Sequence, residues 1–159
     1  SWTFCDLDGS ENGVSMDRAG SLVVESPTHR QVAWCRLQWP YMTETSMGIP
    51  TELIFGQVWE PGVTDGIGAG AGILSQLGVG PSGTNPETAL GWVWVDATFN
   101  VDHGNNDEYR AVFEPTSAGQ YDVAYRFSLS DGAAWRYCDI PGSDDGYSPE
   151  DSGVLMVSE

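Results

Sequence analysis

The stretch Gly91–Val101, GWVWVDATFNV, decides the fold. Apolar and polar residues alternate along it with a period of two, which is typical of a β-strand with one buried face. The buried face would carry Val93, Val95, Ala97 and Phe99. The opposite face would carry Trp92, Trp94, Asp96, Thr98 and Asn100. We therefore predict one strand over this stretch.

Short apolar runs on both sides of this stretch predict further strands, separated by turns rich in Gly, Pro, Asn and Asp. Tyr41–Pro50 is predicted to be a polar loop. No segment has the 3.6-residue period of an amphipathic helix. The chain is therefore predicted to be all-β, an antiparallel immunoglobulin-like β-sandwich. The predicted strands are Trp2–Leu7, Ser21–Glu25, Gln31–Gln38, Glu52–Trp59, Ile73–Leu77, Gly91–Val101, Glu108–Phe113, Gln120–Leu129, Trp135–Ile140 and Val154–Val157.

The chain begins with a copy of its own ending. SWTFCDLDGSENGVSMDRAGSLVVES at the start aligns without a gap to AWRYCDIPGSDDGYSPEDSGVLMVSE at 134–159. Residues 1–26 therefore read as the closing strands of a preceding repeat, and residues 27–159 as one complete module of roughly 133 residues. Those closing strands need a sheet to pair with. We expect a neighbouring copy to supply it, either within a tandem array or by strand addition between chains.

Three cysteines follow the same repeat, because Cys5 is the equivalent of Cys138. We predict a disulfide between Cys35 and Cys138, which would leave Cys5 to a neighbouring module. The competing pairing, Cys5–Cys35, would link adjacent modules instead. Either disulfide requires an oxidising compartment, so the sequence predicts an extracellular or cell-surface location.

The charge balance restricts the partners. Six basic residues face 23 acidic ones, for a formal net charge of −17. Such a chain repels a phosphate backbone, so nucleic acid is excluded as a partner. No apolar run approaches the length of a membrane span, so no membrane insertion is expected. The acidic surface can attract divalent cations, or serve solubility alone.

Calcium is the cofactor that the turns suggest, because Ca²⁺ prefers oxygen ligands crowded on a loop. One candidate site is the DHGNND turn, with Asp102, Asn105 and Asp107 as ligands. The other is the opening segment, with Asp6 and Asp8. Asp8 is not kept in the second copy, where a proline stands. Asp, Asn and Gly are also the usual residues of tight turns, which is the alternative.

A sugar platform is the ligand site that the sequence suggests. Trp92 and Trp94 fall two residues apart on the polar face of their strand, beside Asp96. Two indoles could stack on sugar rings while carboxylates and amides bind the hydroxyls. The alternative is that a loop or a neighbouring module covers both faces of this strand.

Nothing in the sequence has the pattern of a catalytic site. The GxSxG motif is absent, the two histidines lack a neighbouring nucleophile motif, and the cysteines are assigned to disulfides. The glycines of PGVTDGIGAG (residues 61–70) lack the spacing and the following helix of a phosphate-binding loop. The chain is therefore expected to be non-catalytic.

Two runs carry a family resemblance: FGQVWEPGVTDGIGAGAGILSQLGVGPSGTNP at 55–86 and WVWVDATFNVDHGNNDEYRAVFEPTSAGQYDVAYRFSLSDGAAWRYCDI at 92–140. They resemble a β-sandwich module of large secreted bacterial proteins, including accessory modules of pullulanases and amylopullulanases. Trp94–Tyr109 is the most specific part. The resemblance implies a non-catalytic, immunoglobulin-like module associated with α-glucan handling, without a binding motif that transfers residue by residue.

Two functions follow as hypotheses. The first is a structural or adhesive repeat of a secreted or cell-surface bacterial protein, such as a subunit or repeat of an extracellular fibre, with neighbouring copies as partners. The second is a carbohydrate-binding accessory module of a secreted amylolytic enzyme, with a polysaccharide such as α-glucan as partner.

Overall fold

The computed structural model describes residues 30–129 and 131–159, together with Leu7. Apart from Leu7, the opening repeat lies outside the described residues, and with it Cys5 and the calcium candidate at Asp6 and Asp8. The boundary near residue 27 and the pairing of the opening strands with another copy therefore stay predictions.

Ten strands and one short 3-10 helix, Pro149–Asp151, make up the regular structure of the described residues. The all-β class is confirmed. The strands are β1 (Trp34–Trp39), β2 (Met42–Ser46), β3 (Ile54–Trp59), β4 (Leu74–Pro81), β5 (Val93–Asp96), β6 (Thr98–His103), β7 (Asn106–Ala111), β8 (Gly119–Ser128), β9 (Arg136–Cys138) and β10 (Gly153–Ser158).

The strands form two sheets. A four-stranded sheet has the order β1-β3-β7-β6, and a six-stranded sheet has the order β2-β10-β8-β4-β5. Strand β9 also pairs with β8, next to Tyr125, and follows β10 along the same side of β8. The pairs are antiparallel except for β2 and β10, which run parallel. The predicted sandwich of largely antiparallel sheets is thus confirmed.

A single apolar core fills the space between the sheets. Tyr125 is at its centre: its ring packs on Gly56, where any side chain would overlap it, and its hydroxyl donates to the carbonyl of Ile54 at 2.7 Å. Burying each large core side chain contributes about 1.5–3 kcal/mol. The fully buried apolar side chains include Val32, Leu37, Ile54, Val58, Leu77, Tyr125, Phe127 and Leu155.

The prediction of one strand over Gly91–Val101 was wrong in one respect. The stretch is two strands, β5 in the six-stranded sheet and β6 in the four-stranded sheet, divided at Ala97. The N–H of Ala97 donates to the carbonyl of Ser75 at 2.8 Å. The alternation continues across this crossing because both halves bury the same side of the chain, and alternation reports burial rather than sheet membership. Val93 nevertheless remains 54% exposed at the open edge of β5.

The prediction of a loop over Tyr41–Pro50 was also wrong, because this segment contains β2. The strand has the sequence MTETS and buries only Thr43. It is an edge strand that the backbone pairing with β10 holds in place, so its side chains carry no apolar alternation. Strand β4 likewise extends to Pro81, four residues beyond its predicted end at Leu77.

A disulfide joins the two sheets. Cys35 in β1 and Cys138 in β9 are both fully buried, and their Cα atoms are 5.6 Å apart. This is the first of the two pairings considered from the sequence. Ser143, in the loop after β9, reinforces the junction: its hydroxyl accepts from the N–H of Cys35 at 3.0 Å, and its own N–H donates to the Cys35 carbonyl at 2.9 Å.

Candidate functional site

Trp92 and Trp94 lie side by side against β4 of the six-stranded sheet. Trp94 pairs in register with Gly78 of β4. The two ring centroids are 5.7 Å apart and the ring planes differ by only 19°. Both side chains are half-buried. The pair that the sequence predicted is therefore brought together with its rings nearly parallel.

Two glycines of β4 allow this arrangement. A Cβ at Gly78 would overlap the indole of Trp94, and a Cβ at Gly80 would overlap the indole of Trp92. Glycine inside a strand commonly marks such a close approach. The indole N–H of Trp92 also donates to the hydroxyl of Thr84 at 3.0 Å, which fixes the orientation of that ring.

Arg126 of β8 lies between two indoles. Its guanidinium carbon is 4.1 Å from the ring centroid of Trp94 and 4.2 Å from that of Trp135. Its Nε donates to the side-chain oxygen of Gln76 at 2.8 Å, and the Gln76 amide donates to Asp96 at 2.8 Å. Partial burial lowers the pKa of Arg126, which still carries its positive charge at neutral pH.

Two tyrosines complete the cluster. Tyr137 of β9 meets Trp94 edge-on at 5.7 Å between centroids, and Tyr147 meets Trp92 edge-on at 6.1 Å. We call this set of side chains the aromatic face. Its members are Trp92, Trp94, Arg126, Trp135, Tyr137 and Tyr147.

The alternative to a sugar platform was that both faces of the strand carrying Trp92 and Trp94 are covered. This alternative applies only in part. The glycines of β4 cover one part of each indole, and Arg126 stacks on Trp94. Both indoles still keep some surface in solvent, and the carboxylate of Asp96 is exposed beside them. The aromatic face thus combines apolar rings with exposed hydrogen-bonding groups.

An open polar cleft borders the aromatic face. Its volume is about 570 Å³. Asp122 lies at its base and pairs in register with Gly80, the glycine beneath Trp92. The Asp122 carboxylate accepts from the hydroxyl of Ser82 at 3.0 Å and from the N–H of Gly83 at 2.7 Å. The lining also includes Gln120, Ser148, Pro149, Glu150, Ser152 and Val154.

The second predicted site, the DHGNND turn, forms the end of the β6–β7 hairpin. Asp102 and Asp107 pair directly across it. The carboxylates of Asp102 and Asp107 each accept a hydrogen bond from the glycine-rich loop at residues 61–72. Asp102 accepts from the N–H of Gly68 at 3.0 Å, and Asp107 accepts from the N–H of Gly70 at 2.7 Å. Asn105 is exposed at the tip, and its backbone carbonyl accepts from Thr64 at 2.7 Å.

Asp107 is fully buried, and this raises the pKa of its carboxyl group. The backbone hydrogen bond from Gly70 opposes the shift, while the charge of Asp102 adds to it. No group of three or more His, Cys, Asp or Glu side chains among the described residues has a metal-binding arrangement. Two of the three predicted ligand side chains therefore face each other, and that of Asn105 points to solvent at the tip.

Sequence reasoning identified Trp92, Trp94 and Asp96 but missed the rest of the aromatic face. Trp135 was placed in a predicted strand without a ligand-binding role, and Arg126 was not singled out. A usable signal was present: Arg126 is a polar residue on the outward side of a strand whose alternate residues, Tyr125 and Phe127, are apolar.

The described residues define a β-sandwich module with an aromatic outer face; none of them forms a helix that is long and apolar enough to cross a membrane. No protein-family model matches the chain. Curated relatives at 31–32% identity are amylopullulanases.

The alignments cover much of this chain and little of each relative. The match to the amylopullulanase of Thermoanaerobacterium thermosulfurigenes is 32% identical over 143 residues, 80% of this chain and 7% of the relative. The match to that of Thermoanaerobacter thermohydrosulfuricus is 31% identical over 171 residues, 98% of this chain and 11% of the relative. The match to that of Thermoanaerobacterium saccharolyticum is 32% identical and covers 59% of this chain. This chain therefore resembles a segment of these enzymes, in agreement with the family resemblance of residues 55–86 and 92–140.

Proposed function

We propose that this chain is a non-catalytic accessory module of a secreted amylolytic protein and that it binds α-glucan through its aromatic face. The observation that carries the proposal is the near-parallel, half-buried pair Trp92 and Trp94. The similarity to segments of amylopullulanases supports the choice of glucan.

The chemistry of the aromatic face suits a sugar chain. A pyranose ring has an apolar face that can pack on an indole and a rim of hydroxyls that need hydrogen-bonding partners. Asp96 offers an exposed carboxylate next to the indoles, and the neighbouring cleft adds the side chains of Gln120 and Glu150. A chain of several sugar units can extend from the indoles into this cleft.

The roles of the buried carboxylates support a non-catalytic module. Asp122 accepts hydrogen bonds from Ser82 and Gly83. Asp139 accepts from the N–H groups of Gly142 at 3.2 Å and Ser148 at 2.8 Å. These carboxylates hold loops in place, which is a structural role. This chain aligns with only 7% and 11% of two amylopullulanases, so most of each enzyme consists of other segments.

The disulfide supports an extracellular or cell-surface location. Cys35–Cys138 joins the two sheets, and such bonds persist in oxidising compartments.

Affinity electrophoresis tests glucan binding. The protein should migrate more slowly in native gels that contain soluble starch or pullulan than in plain gels, and cellulose should have no effect. Trp92→Ala should lose most of the retardation. Trp39→Ala is the matched control, because Trp39 is 52% exposed but lies at the end of β1 in the other sheet. Unchanged mobility of the wild-type protein in every gel would rule the proposal out.

A tandem structural or adhesive role is the second candidate. The repeated closing sequence favours it, and the 98% coverage of this chain in one amylopullulanase means that most of the opening segment aligns there too. The strand orders β1-β3-β7-β6 and β2-β10-β8-β4-β5 support an immunoglobulin-like outline, which corresponds to ABED and GFC sheets with added edge strands.

Sedimentation analysis tests this second role. If residues 1–26 pair with a neighbouring copy, the full chain should form oligomers as its concentration rises, and a variant without residues 1–26 should stay monomeric. Monomers of both proteins at every concentration would contradict strand addition between chains.

A further inference from the structure

One carboxylate oxygen in the acidic hairpin has no partner. Asp107 is fully buried, and its Oδ1 has no hydrogen-bond partner, whereas its Oδ2 accepts from the N–H of Gly70. Among the described residues it is the one carboxylate oxygen that is both buried and unpartnered. A buried ionised oxygen without a partner is costly, and native structures rarely leave one.

The surroundings increase that cost. Asp102 stands directly opposite Asp107 in the hairpin, and like charges that face each other across two strands are destabilising. The hairpin therefore holds two acidic side chains face to face.

The glycine-rich loop fixes both carboxylates. The N–H of Gly68 binds Asp102 and the N–H of Gly70 binds Asp107. The loop also brings a backbone carbonyl close: the Val63 carbonyl oxygen and Asp107 Oδ2 each lie 3.1 Å from the position that a Cβ on Gly70 would take. The Val63 carbonyl oxygen and the Asp107 carboxylate thus lie near the same point beneath this loop, and the Asp102 carboxylate is bound by the same loop.

We propose that Asp102 and Asp107 bind a Ca²⁺ ion beneath the loop at residues 61–72. Ca²⁺ takes six to eight oxygen ligands from carboxylates, backbone carbonyls and water, and tolerates irregular geometry. Two carboxylates with the Val63 carbonyl and water can meet this requirement without a third acidic residue. The ion would neutralise the facing charges and partner the free oxygen of Asp107. It is independent of glucan binding, because the hairpin belongs to the other sheet.

A proton on Asp107 is the competing occupant, since burial favours the neutral acid. The two differ in their response to calcium. An ion site makes the thermal stability of chelator-treated protein depend on added Ca²⁺ in a way that requires Asp102 and Asp107, whereas a proton on Asp107 does not.

Calorimetric titration of chelator-treated protein with CaCl₂, followed by thermal melting, tests the site. We expect saturable binding at one site and a higher melting temperature with Ca²⁺. Asp102→Asn and Asp107→Asn should each weaken binding at least tenfold. Asp65→Asn is the matched control, because Asp65 is exposed and its carboxylate accepts from the N–H of Gly62 within the same loop.

The variants also keep the test decisive if one of them folds poorly. Without calcium, Asp107→Asn should melt no lower than the wild type, because the change removes one of the two facing charges. Asp102 is less buried than Asp107. Asp102→Asn therefore provides the binding result if circular dichroism shows that Asp107→Asn is unfolded. No binding heat and no shift in melting temperature for the wild type would overturn the proposal, as would equal calcium affinity in Asp102→Asn.

Discussion

The guanidinium of Arg126 lies over the indole of Trp94, with its central carbon 4.1 Å from the ring centroid. Trp135 lies at 4.2 Å from the same carbon. A cation between two indoles is stabilised by the electron density of both ring faces, and the stabilisation grows as water is excluded. Arg126 thereby connects β8 to the edge strand β5 through side chains.

Removing this cation should destabilise the sandwich. A cation–π contact contributes from about 0.5–1 kcal/mol when exposed to about 2 kcal/mol when desolvated. We expect Arg126→Ala to lower the free energy of unfolding by about 2–3 kcal/mol, measured by urea denaturation, since packing against both indoles is lost as well. Arg110→Ala is the control, because Arg110 is an exposed arginine of β7, and it should cost less than about 0.5 kcal/mol. Equal losses in both variants would show that the indoles contribute nothing specific.

The glycines beneath the indoles should tolerate no side chain. We expect Gly80→Ala to cost about 1–3 kcal/mol, because the added methyl group must displace the indole of Trp92. The tryptophan fluorescence should change with it. Gly66→Ala is the control, since its Cβ would meet nothing within 4 Å and its backbone does not need a glycine. If Gly80→Ala melts like the wild type, the close packing of Trp92 on β4 is wrong.

Loss of the disulfide should be one of the most damaging changes. Cys35 and Cys138 are separated by 103 residues in sequence, and removing a native disulfide from a small domain costs about 2–5 kcal/mol. We expect the double variant Cys35→Ala, Cys138→Ala to show that loss in urea denaturation. Wild-type protein treated with a strong reductant should show a similar loss, whereas the variant should not respond to reductant. A variant as stable as the oxidised wild type would contradict this.

Asp139 should make stability depend on pH. Burial raises the pKa of Asp139 above its ordinary value of 3.8, although hydrogen bonds from Ser148 and Gly142 oppose the shift. The folded state therefore holds a proton that the unfolded state has released, and this contribution is lost as pH rises from 3.8 through the folded pKa. Relative to Asp139→Asn, the wild type should lose stability over that window. Unfolding free energies measured from about pH 4 to pH 7 check this. A constant difference between the two proteins would contradict it.

Much of the fold could be predicted because burial leaves a period of two in each strand. Tyr121, Val123, Tyr125 and Phe127 show it along β8, the strand with the most partners. The pairing of Cys35 with Cys138 could be anticipated because the repeat makes Cys138 the late cysteine of the module.

Other features left no trace in the pattern. Strand β2 buries only Thr43 and depends on backbone bonds to β10, so its side chains carry no signal. The crossing at Ala97 was missed because both halves of the stretch bury the same side of the chain, so the alternation continues without a break. Sheet membership depends on distant partners such as Gly78 and Arg110, which a local pattern does not name.

The candidate sites were predicted in the same incomplete way. Trp92 and Trp94 were recognised because they neighbour each other in sequence. The partners that define their geometry, Gly80 and Arg126, come from β4 and β8. Likewise, the hairpin residues Asp102 and Asp107 were recognised, but the loop that binds them is more than thirty residues away.

The disulfide also determines how the module would respond to a pull along the chain. A force that enters ahead of β1 reaches Cys35 and passes through the sulfur atoms directly to Cys138, just before the segment that leads into β10. The residues between the two cysteines lie off that covalent route and would not stretch. Strand β10 is held beside β2, which runs parallel to it, so the pull would load their shared hydrogen bonds in shear, all together rather than one at a time. A row of such modules would lengthen little under tension while oxidised, and far more once reduced.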